Sequence, residues 1–565
     1  MTWTVALMHD KLSIVVLLND RNIPYWFYSG LDNLVKSHNA DLHILISAPP
    51  EVKAQVSKQR MAGRTPLRLI EKLDSLIFRT KNNYNIRKDV SELVNIAGIY
   101  DNEIRTGDSE LTLQRLEERL LKIGPDIIFK FGDHYLNKTA YKIPRYGIWT
   151  YTIESDLSSG GFDSGLWEVV RYTPISYSGV EVTGSEPGQI TTLFGSAEST
   201  CPFSINMNRN KLFWRASLFL PRLVEGLRFY GEDYLVTQKK RYKLWKVIHP
   251  EEGEARVTFW NGFRDVFKFV VRVMPLVMNK LIYTDAFSWQ LMIKGSEGDM
   301  TSPDFYTDFK PFRSPRGLFW ADPFVVSENG SYFVFVEEFI YRRNKAHIAV
   351  VEIGSNGELV RHQKIIEKPY HMSYPFIFRE GGSWYMIPET SSNNTIEMYR
   401  CAEFPDTWEF DRIIMKDISA TDTTLFYHDG KWWLFTTIDQ TGSVSGGSTE
   451  LFLFYADTPL TDNWVSHPLN PVVSDESSAR CAGNLFLHNG HIYRPAQDCT
   501  MRYGRGFNLK RVTILNENEY TETTEAEIKP VWDKRLKGTH TFNFVDGLTV
   551  IDTYSYHRRL YNKTS

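Results

Sequence analysis

The 565-residue sequence predicts a multidomain protein with an α/β part and an all-β part: a parallel α/β domain, a helical connector and a five-bladed β-propeller. Three observations support this prediction. Short apolar strands alternate with helical segments in the first part, helical periodicity dominates the middle, and one β-hairpin pattern recurs five times in the last part. We place the three regions at residues 1–220, 221–300 and 301–565.

The composition is that of a folded protein without a strong charge bias. Hydrophobic residues make up 42% and charged residues 24% of the chain, and the net charge is -3. No overall positive field attracts nucleic acid, so we predict no nucleic-acid partner. Aromatic residues reach 14%, and such rings fill β-rich cores or stack on flat ligands such as sugars.

Cysteine spacing and hydropathy bear on metal sites and cellular compartment. The cysteines are Cys201, Cys401, Cys481 and Cys499. They form no CxxC pair, so we predict no metal site. So few thiols fit a reducing compartment, and no long uncharged apolar run is present. These features predict a cytoplasmic protein. The sequence has no Walker loop and no glycine-rich dinucleotide motif, and the cofactor stays unknown.

The first region has the pattern of a parallel sheet covered by helices. Its apolar runs are residues 12–19, 41–47 and 125–131. Helical segments such as 109–122 lie between them, as in βαβ units. Ligands of such sheets bind beyond the carboxyl ends of the strands. We therefore expect chemistry after Asn19, Ser47 and Gly132.

The stretch 125–192 resembles the N-terminal domain of formyltransferases. The segments that carry the resemblance are IIFKFGDHYL, IPRYGIWTYTIESD, GLWEVV and EPGQI. That family uses an Asn-x-His pair and an aspartate, and this sequence has Thr150, Thr152 and Glu186 at those places. Threonine is no general base near neutral pH, so the resemblance implies a degenerate site. His134 is the remaining imidazole at this edge, either part of a pocket or structural.

The middle region contains a basic amphipathic helix in residues 263–283. Its apolar side chains recur at helical spacing, and Pro275 is expected to kink the helix. The apolar positions are Phe263, Val266, Phe267, Val270 and Val271, and the cations are Lys268, Arg272 and Lys280, with a basic tract upstream. Such a helix either lies on an anionic membrane surface or packs between domains. The first alternative predicts a peripheral membrane contact through residues 239–283.

The last region repeats a β-hairpin with a tight turn. Each hairpin has Asn-Gly, Gly-Gly or Asp-Gly between alternating apolar strands. The turn glycines are Gly330, Gly382, Gly430, Gly490 and Gly547. A period near 50 residues with room for two further strands is typical of propeller blades, so five hairpins predict five blades.

Hairpin register predicts a shared site at one mouth of the central channel. The residue eight before each turn glycine is expected to lie opposite the residue seven after it. The pairs are Asp322/Glu337, Tyr374/Glu389, Asp422/Thr437, Ala482/Gln497 and Thr539/Tyr554. Neighbouring positions add His540, Arg480, Arg494, Asp498 and Trp320. Polar side chains among apolar neighbours either bind a polyhydroxylated ligand or tie strands together through buried hydrogen bonds.

Two families resemble this region. WADPF is similar to the catalytic motif of five-bladed family 43 glycosidases. This likeness implies Asp322 as general base, Asp422 as the carboxylate that tunes it and His540 as the channel histidine. The general acid of that family falls on Ala482, so hydrolysis would need Glu337 or Glu389 as the second carboxylate.

The denser likeness is to the propeller domain of glucosamine inositolphosphorylceramide transferases. WADPF, SYPFIF, MIPETS, TIEMYR, LFYAD, NPVVSD and YRPAQDC carry it. A formyltransferase-like domain followed by such a propeller resembles proteins of surface-glycan assembly.

Three functions remain open. The first is a transferase acting on sugars in glycoconjugate biosynthesis, and the predicted carboxylates favour an enzyme. The second is a non-catalytic glycan-binding propeller with a degenerate formyltransferase domain, and the third is a sugar N-formyltransferase with an atypical site. The predicted catalytic residues are Asp322, Glu389, Asp422 and Glu337, and the predicted partner is a sugar or glycan. The sequence predicts no oligomeric state.

Overall fold

A computed structural model of the chain describes residues 10–46, 65–80, 83–93, 96, 98–101, 109–132, 134–153, 165–243, 259–442 and 450–560. The described residues up to Leu276 form one compact unit and those from Val277 onward form another. The first is an α/β unit and the second is a β-propeller. No helix in the described parts of the chain is long and apolar enough to cross a membrane.

The α/β unit is built on a seven-stranded sheet and a small two-stranded one. The strands of the unit are β1 (Leu12–Leu18), β2 (Asn22–Pro24), β3 (Ala40–Ile46), β4 (Arg87–Asp89), β5 (Gly98–Asp101), β6 (Ile127–Phe131), β7 (Ile148–Ile153), β8 (Ile175–Thr183) and β9 (Ile190–Ser199). Strands β2 and β4 pair with each other and form the two-stranded sheet. The sheet order is β5-β3-β1-β6-β7-β8-β9. The strands from β5 to β7 are parallel, whereas β8 and β9 run antiparallel. Strand β1 is central and apolar on both faces, which confirms the predicted α/β pattern.

Eight helices accompany this sheet in the described parts of the unit. They are α1 (Tyr25–Lys36), α2 (Thr65–Ile77), α3 (Ser109–Ile123), α4 (Trp167–Arg171), α5 (Ile205–Ala216), α6 (Phe219–Tyr230), α7 (Glu232–Arg241) and α8 (Phe259–Ile282), of which residues 259–276 belong to this unit. Aromatic rings fill the space between α1 and the sheet, where Phe27 stacks on Phe131 with centroids 4.0 Å apart. A formyltransferase-like identity for this unit stays a prediction.

The propeller consists of five antiparallel sheets. Blade 1 contains β12 (Leu318–Glu328), β13 (Ser331–Ile340), β14 (Lys345–Ile353) and β15 (Leu359–Ile366). Blade 2 contains β16 (Ser373–Glu380), β17 (Ser383–Thr390), β18 (Thr395–Glu403) and β19 (Thr407–Lys416). Blade 3 contains β20 (Ala420–His428), β21 (Lys431–Ile438), β22 (Glu450–Ala456), β23 (Val465–Ser466) and β24 (Val473–Ser474). Blade 4 contains β25 (Phe486–His488), β26 (His491–Asp498), β27 (Gly506–Leu515) and β28 (Tyr520–Ile528).

Blade 5 combines strands from both ends of the propeller sequence. Its strands are β29 (Leu536–Gly538), β30 (Phe542–Val545), β31 (Leu548–Leu560), β10 (Tyr283–Lys294) and β11 (Lys310–Phe312). Strand β10 pairs with β31 along its whole length and carries β11 on its other edge. This pairing closes the ring, because the strands that precede blade 1 complete blade 5.

These strands divide the chain differently from the predicted boundaries. Residues 221–300 do not form a separate helical connector, since α6 and α7 belong to the α/β unit and residues 283–294 are a propeller strand. The propeller strands therefore begin at Tyr283 rather than after residue 301. The hydrophobic pattern did not reveal β10, because the helical periodicity of the preceding segment runs directly into it.

The hairpin turns agree with the predicted repeat. All five turn glycines have positive φ, between 76° and 88°. The residue before the glycine also has positive φ in blades 1 to 4, as the tight turns of β-hairpins require. Five blades follow from the five turns, as predicted.

Candidate functional site

The inner strands of the first three blades share one irregularity. The register of β12, β16 and β20 against the next strand breaks between Ala321 and Phe324, between Ser373 and Phe376, and between Thr421 and Thr424. The first residue inside each break is Asp322, Tyr374 or Asp422, with φ of 49°, 44° and 52°. Non-glycine residues occupy this left-handed region at an energetic cost, and functional sites often contain them. The same β-bulge thus recurs in three successive blades.

These bulges correct the predicted hairpin pairs. Glu337, Glu389 and Thr437 lie opposite Ala321, Ser373 and Thr421, one residue earlier than predicted. The same offset recurs in blade 5, where Gly538 pairs with Tyr554. In blade 4 the offset is two residues, because the bridge between Cys481 and Ala496 places Gln497 opposite Arg480. The bulge takes up one residue, so Asp322, Tyr374 and Asp422 leave the ladder.

One half of the site is a buried chain of Asp322, His540 and Asp552. His540 Nδ1 lies 2.6 Å from Asp552 Oδ2, and its Nε2 lies 3.6 Å from Asp322 Oδ1. Asp322 also accepts hydrogen bonds from the Thr541 hydroxyl at 3.0 Å and from the Tyr374 N–H at 3.2 Å. All three titratable side chains are buried. The chain links blade 1 to blade 5.

Burial and charge act in opposite directions on these groups. Burial raises the pKa of Asp322, and the carboxylates of Glu337, Asp422 and Asp552 add to the rise, while His540 opposes it. Burial alone would lower the pKa of His540, but Asp552 and Asp322 outweigh it, so the pKa is raised. The result is a cationic imidazole beside a carboxyl group that titrates nearer neutral pH than usual.

The two carboxylates and the imidazole of this buried chain are residue types that bind metal cations. One ligand atom from each of Asp322, His540 and Asp552 lies within 4.8 Å of the other two. However, Asp552 already accepts the backbone N–H groups of Asp322, His540 and Thr541, each at 3.0 Å. These internal bonds give the cluster a hydrogen-bonding role.

The other half of the site is centred on Asp422. Its carboxylate accepts from Arg480 Nε at 2.5 Å and from Gln497 Nε2 at 2.8 Å. Arg480 also lies 3.5 Å from Glu389 Oε2, while the Ser391 hydroxyl donates to Glu389 Oε1 at 2.7 Å. Burial raises the pKa of Asp422, and Arg480 opposes that rise. Blades 2, 3 and 4 each contribute to this half.

The Tyr374 side chain joins blade 2 to blades 3 and 4. The N–H of Gly483 donates to its hydroxyl oxygen at 2.8 Å, and its hydroxyl lies 2.9 Å from that of Thr424. The ring is fully buried, so Tyr374 acts in the framework and does not offer a face to a ligand. Ala482, in the place of the family 43 acid, is buried beside Gly483 and contributes no carboxylate.

Partly exposed side chains lie above these buried groups. Glu337, Glu389 and Arg480 keep between 11% and 14% of their side chains exposed, and His371 lies 3.3 Å from Glu337. Tyr503 is 47% exposed; the Arg480 guanidinium lies 5.0 Å from its ring centroid. An aromatic ring above carboxylates and a guanidinium suits a sugar, which offers apolar ring faces and many hydroxyl groups.

Sequence reasoning missed four residues of this arrangement. They are Asp552, Thr541, Tyr503 and Trp289. Trp289 stacks on His540 with ring centroids 3.9 Å apart, and Tyr503 meets His540 edge-on at 5.2 Å. The acid in the apolar run VIDTY was a usable signal for Asp552. Tyr503 lies in an irregular loop and Trp289 precedes the recognised repeat, so hairpin register could not find them.

Three predicted binding residues lie elsewhere. Arg494 is buried and pairs with Glu522, with Arg494 Nη2 and Glu522 Oε1 2.7 Å apart, so its charge is satisfied inside blade 4. Trp320 is buried in the core shared by blades 1 and 5 and donates to Glu338 at 2.9 Å. Asp498 accepts from the N–H of Thr500 at 3.0 Å and thereby shapes the loop that bears Tyr503.

The predicted residues of the α/β unit are not all together. Thr150 and Thr152 lie on the same face of β7 and are half-buried. Glu186 is in the turn after β8, which runs antiparallel to β7 and returns to the opposite end of the sheet, so it is separated from them. His134 is buried, with Nε2 3.2 Å from the Phe131 carbonyl oxygen.

Comparison with known proteins gives matches for the propeller. Residues 312–549 match a family model described as glucosamine inositolphosphorylceramide transferase 1, N-terminal. The enzyme of that name from Oryza sativa subsp. japonica is 33% identical over 207 residues, which are 36% of this chain and 27% of the relative. The Arabidopsis thaliana protein is 29% identical over 230 residues, or 40% of this chain and 29% of the relative.

The matched segment therefore spans less than a third of the length of these curated relatives. Among solved structures, an exo-1,5-alpha-L-arabinanase from a bovine ruminal metagenomic library is 13% identical, with a TM-score of 0.31, covering 44% of this chain and 96% of its own. A Bacillus subtilis arabinanase is also 13% identical, with a TM-score of 0.31 and coverages of 41% and 93%. The family match confirms the predicted likeness of the propeller.

Proposed function

We propose that the chain is a transferase acting on sugars in glycoconjugate biosynthesis, with its sugar site at the mouth of the propeller channel. The observation that carries the proposal is the strained bulge repeated in three blades, which places Asp322 beside His540 and Asp422 beside Arg480. The curated relatives named as transferases match the same propeller segment and support a glycan-related role.

The proposed chemistry assigns the proton transfer to Asp322. In sugar transfer the acceptor oxygen bonds to the anomeric carbon of the donor sugar, while the bond from that carbon to the donor's leaving group breaks and the leaving group departs with the electron pair. The acceptor hydroxyl group gives up its proton in this step, and a carboxylate with a raised pKa is suited to take it near neutral pH. The His540 imidazolium, held by Asp552, orients Asp322 and stabilises its charged form. Glu389 and Glu337 are the second carboxylates available at the mouth, because Ala482 supplies none.

A second candidate function is glycan recognition without catalysis. The observation in its favour is that both oxygens of Asp322 and both oxygens of Asp422 already accept hydrogen bonds from the protein. Carboxylates that are engaged in this way can hold strands together without contacting a ligand. The neighbouring side chains of Arg480, Glu389 and Tyr503 would then bind the sugar. In this version the α/β unit is a degenerate formyltransferase domain.

The α/β unit is the basis of a third candidate function, a sugar N-formyltransferase with an atypical site. Thr150 and Thr152 share a face of β7 and lie towards the carboxyl end of the parallel strands, where ligands of such sheets bind. Their hydroxyl groups could orient a substrate but not accept its proton near neutral pH. Any formyl transfer would need a base from another residue.

A ligand panel separates these functions. Thermal unfolding of the full chain would be measured with glycans and nucleotide sugars, and a ligand that binds the folded state raises the midpoint. Asp322→Asn should abolish turnover of the identified ligand while affinity stays within about tenfold, whereas Glu358→Gln on the exposed edge of blade 1 should change neither. Equal losses of binding and turnover in Asp322→Asn would assign Asp322 to ligand binding, and a ligand that binds without any turnover would favour recognition alone. A ligand whose effect survives Asp322→Asn and Glu389→Gln unchanged would place the sugar site elsewhere.

A further inference from the structure

Two helices of the α/β unit expose large apolar side chains in regular stripes. The residues are Leu69, Leu73, Leu76 and Ile77 of α2 and Phe263, Phe267, Val270, Val271 and Met274 of α8. We call them the two-helix apolar face. They account for nine of the 23 large apolar residues that are exposed in the described parts of the chain. A concentration of this kind marks an interaction site, whereas scattered exposed apolar residues do not.

Helix α8 is fixed with its apolar stripe outward. On the opposite side, Phe269 is buried with Val266 and Val273 against a core cluster of the α/β unit. The Arg272 guanidinium donates to the carbonyl oxygen of Val169 at 2.5 Å and lies over the Tyr172 ring. These contacts use one side of the helix, so the stripe from Phe263 to Met274 faces away from the unit's core.

Helix α2 is held in the same way. Asp74 is buried and accepts from the Ser204 hydroxyl at 3.0 Å and from the Asn206 N–H at 2.6 Å, at the start of α5. Ile70 packs against the same core cluster as Phe269. Leu69, Leu73 and Leu76 lie on another side of the helix, and Ile77 is exposed at its last residue. Both helices therefore attach to one region of the unit and leave their apolar sides open.

The charges beside the stripes are positive. Arg264 and Lys268 each follow an exposed phenylalanine by one residue, which places them along one edge of the α8 stripe. Lys72 lies three residues after Leu69 and four before Leu76, at the edge of the α2 stripe. The acids of α2 are turned inward, since Glu71 pairs with Arg209 at 2.7 Å and Asp74 is buried. Asp265 lies beside Arg264, at 3.5 Å.

We infer that the two-helix apolar face docks the protein on an anionic lipid bilayer. An in-plane helix buries its apolar side at the boundary between headgroups and acyl chains, while lysine and arginine at its edges contact anionic headgroups. A second copy of the chain fits less well. A symmetric interface would bring the Lys72 and Lys268 edges of both copies to the same contact, where the acids of the two helices are already engaged: Glu71 with Arg209, Asp74 in the interior and Asp265 beside Arg264. The inference does not depend on the proposed sugar site.

Vesicle flotation of the full chain tests the inference. We expect the protein to float with vesicles of phosphatidylcholine and phosphatidylserine and to remain behind with phosphatidylcholine alone. The double variant Phe267→Ser with Met274→Ser, and separately Lys72→Glu with Lys268→Glu, should each weaken vesicle binding by at least about tenfold. The matched control, Leu359→Ser with Val360→Ser, changes exposed apolar residues on β15 of the propeller and should float like the unchanged chain.

Two further measurements keep the result interpretable. Circular dichroism and thermal unfolding establish that each variant is folded, which is expected because the replaced side chains are exposed. Light scattering reports the oligomeric state without vesicles. Failure to float with anionic vesicles would overturn the inference, and so would a dimer that the Phe267→Ser, Met274→Ser variant dissociates. Binding that the control variant weakens equally would also overturn it.

Discussion

The protonation of Asp322 depends on charges that reach it from neighbouring blades. Burial raises the pKa of the Asp322 carboxyl group and so favours its neutral form. The His540 charge lowers this pKa, whereas the charges of Glu337, Asp422 and Asp552 raise it further. A proposed base in this environment should be sensitive to each neighbour separately. Substitutions of different neighbours are therefore expected to shift the pKa of Asp322 in opposite directions.

We predict that His540→Gln and Glu337→Gln shift the pH dependence of the site in opposite directions. Loss of the imidazolium raises the pKa of Asp322 further, so the acid limb of ligand-dependent turnover should move to higher pH. Loss of the Glu337 charge lowers that pKa and should move the limb to lower pH. The measurement is kcat/KM against pH. Shifts of the same sign would contradict the electrostatic assignment of Asp322.

Tyr374 provides a prediction about stability. In Tyr374→Phe the buried Gly483 N–H loses the oxygen that accepts its hydrogen bond, and Thr424 loses a partner. An unsatisfied buried donor costs about 1–3 kcal/mol, so the free energy of unfolding should fall by that amount. Denaturant unfolding measures it. Tyr427→Phe, which removes a hydroxyl from an exposed tyrosine, should leave the unfolding midpoint unchanged. Equal midpoints for both variants would show that Tyr374 does not tie the blades together.

At the scale of elements, strand β29 supports the loop that carries Tyr503. A Cβ at Gly538 would lie 1.8 Å from the carbonyl oxygen of Gly504, which is rigid backbone. We predict that Gly538→Ala displaces this loop, destabilises the fold by about 1–3 kcal/mol and weakens sugar binding. Gly295→Ala is the matched control, because nothing lies within 4 Å of its Cβ position and its φ is ordinary. Thermal unfolding and ligand affinity together test this, and unchanged affinity in Gly538→Ala would separate Tyr503 from the site.

The elements also show where sequence reasoning succeeds and fails. Tight turns have strong local signatures, so all five hairpins were predictable from Asn-Gly, Asp-Gly and Gly-Gly. A bulge has no comparable signature, because it depends on what the displaced side chain meets across the channel. The prediction therefore placed Asp322 and Asp422 at the ends of the hairpins where the bulges occur, with their pairing wrong by one residue. The predicted binding role of Arg494 could not be checked against its partner for a related reason. That partner, Glu522, lies on a strand that the repeat did not reveal.

At the scale of the whole molecule, ring closure is the feature that the repeat could not predict. Five copies of a hairpin imply five blades but not which strand completes the last one. Strand β10 takes that place, since Leu291 packs into the core shared by blades 1 and 5 and Met292 into the core shared by blades 4 and 5. The same strand carries Trp289 onto His540. Closure and site construction thus depend on one segment that precedes the repeat.

This dependence predicts different behaviour for two fragments of the propeller. A fragment of residues 277–565 retains β10, whereas a fragment of residues 301–565 leaves β31 with an unpaired edge along its whole length. Unpaired strand edges promote aggregation, and the two cores would also lose Leu291 and Met292. We expect the longer fragment to unfold cooperatively as a monomer and the shorter one to aggregate or unfold without a transition. Size-exclusion chromatography and thermal unfolding distinguish them. A monomeric, cooperatively unfolding 301–565 fragment would mean that β10 does not close the ring.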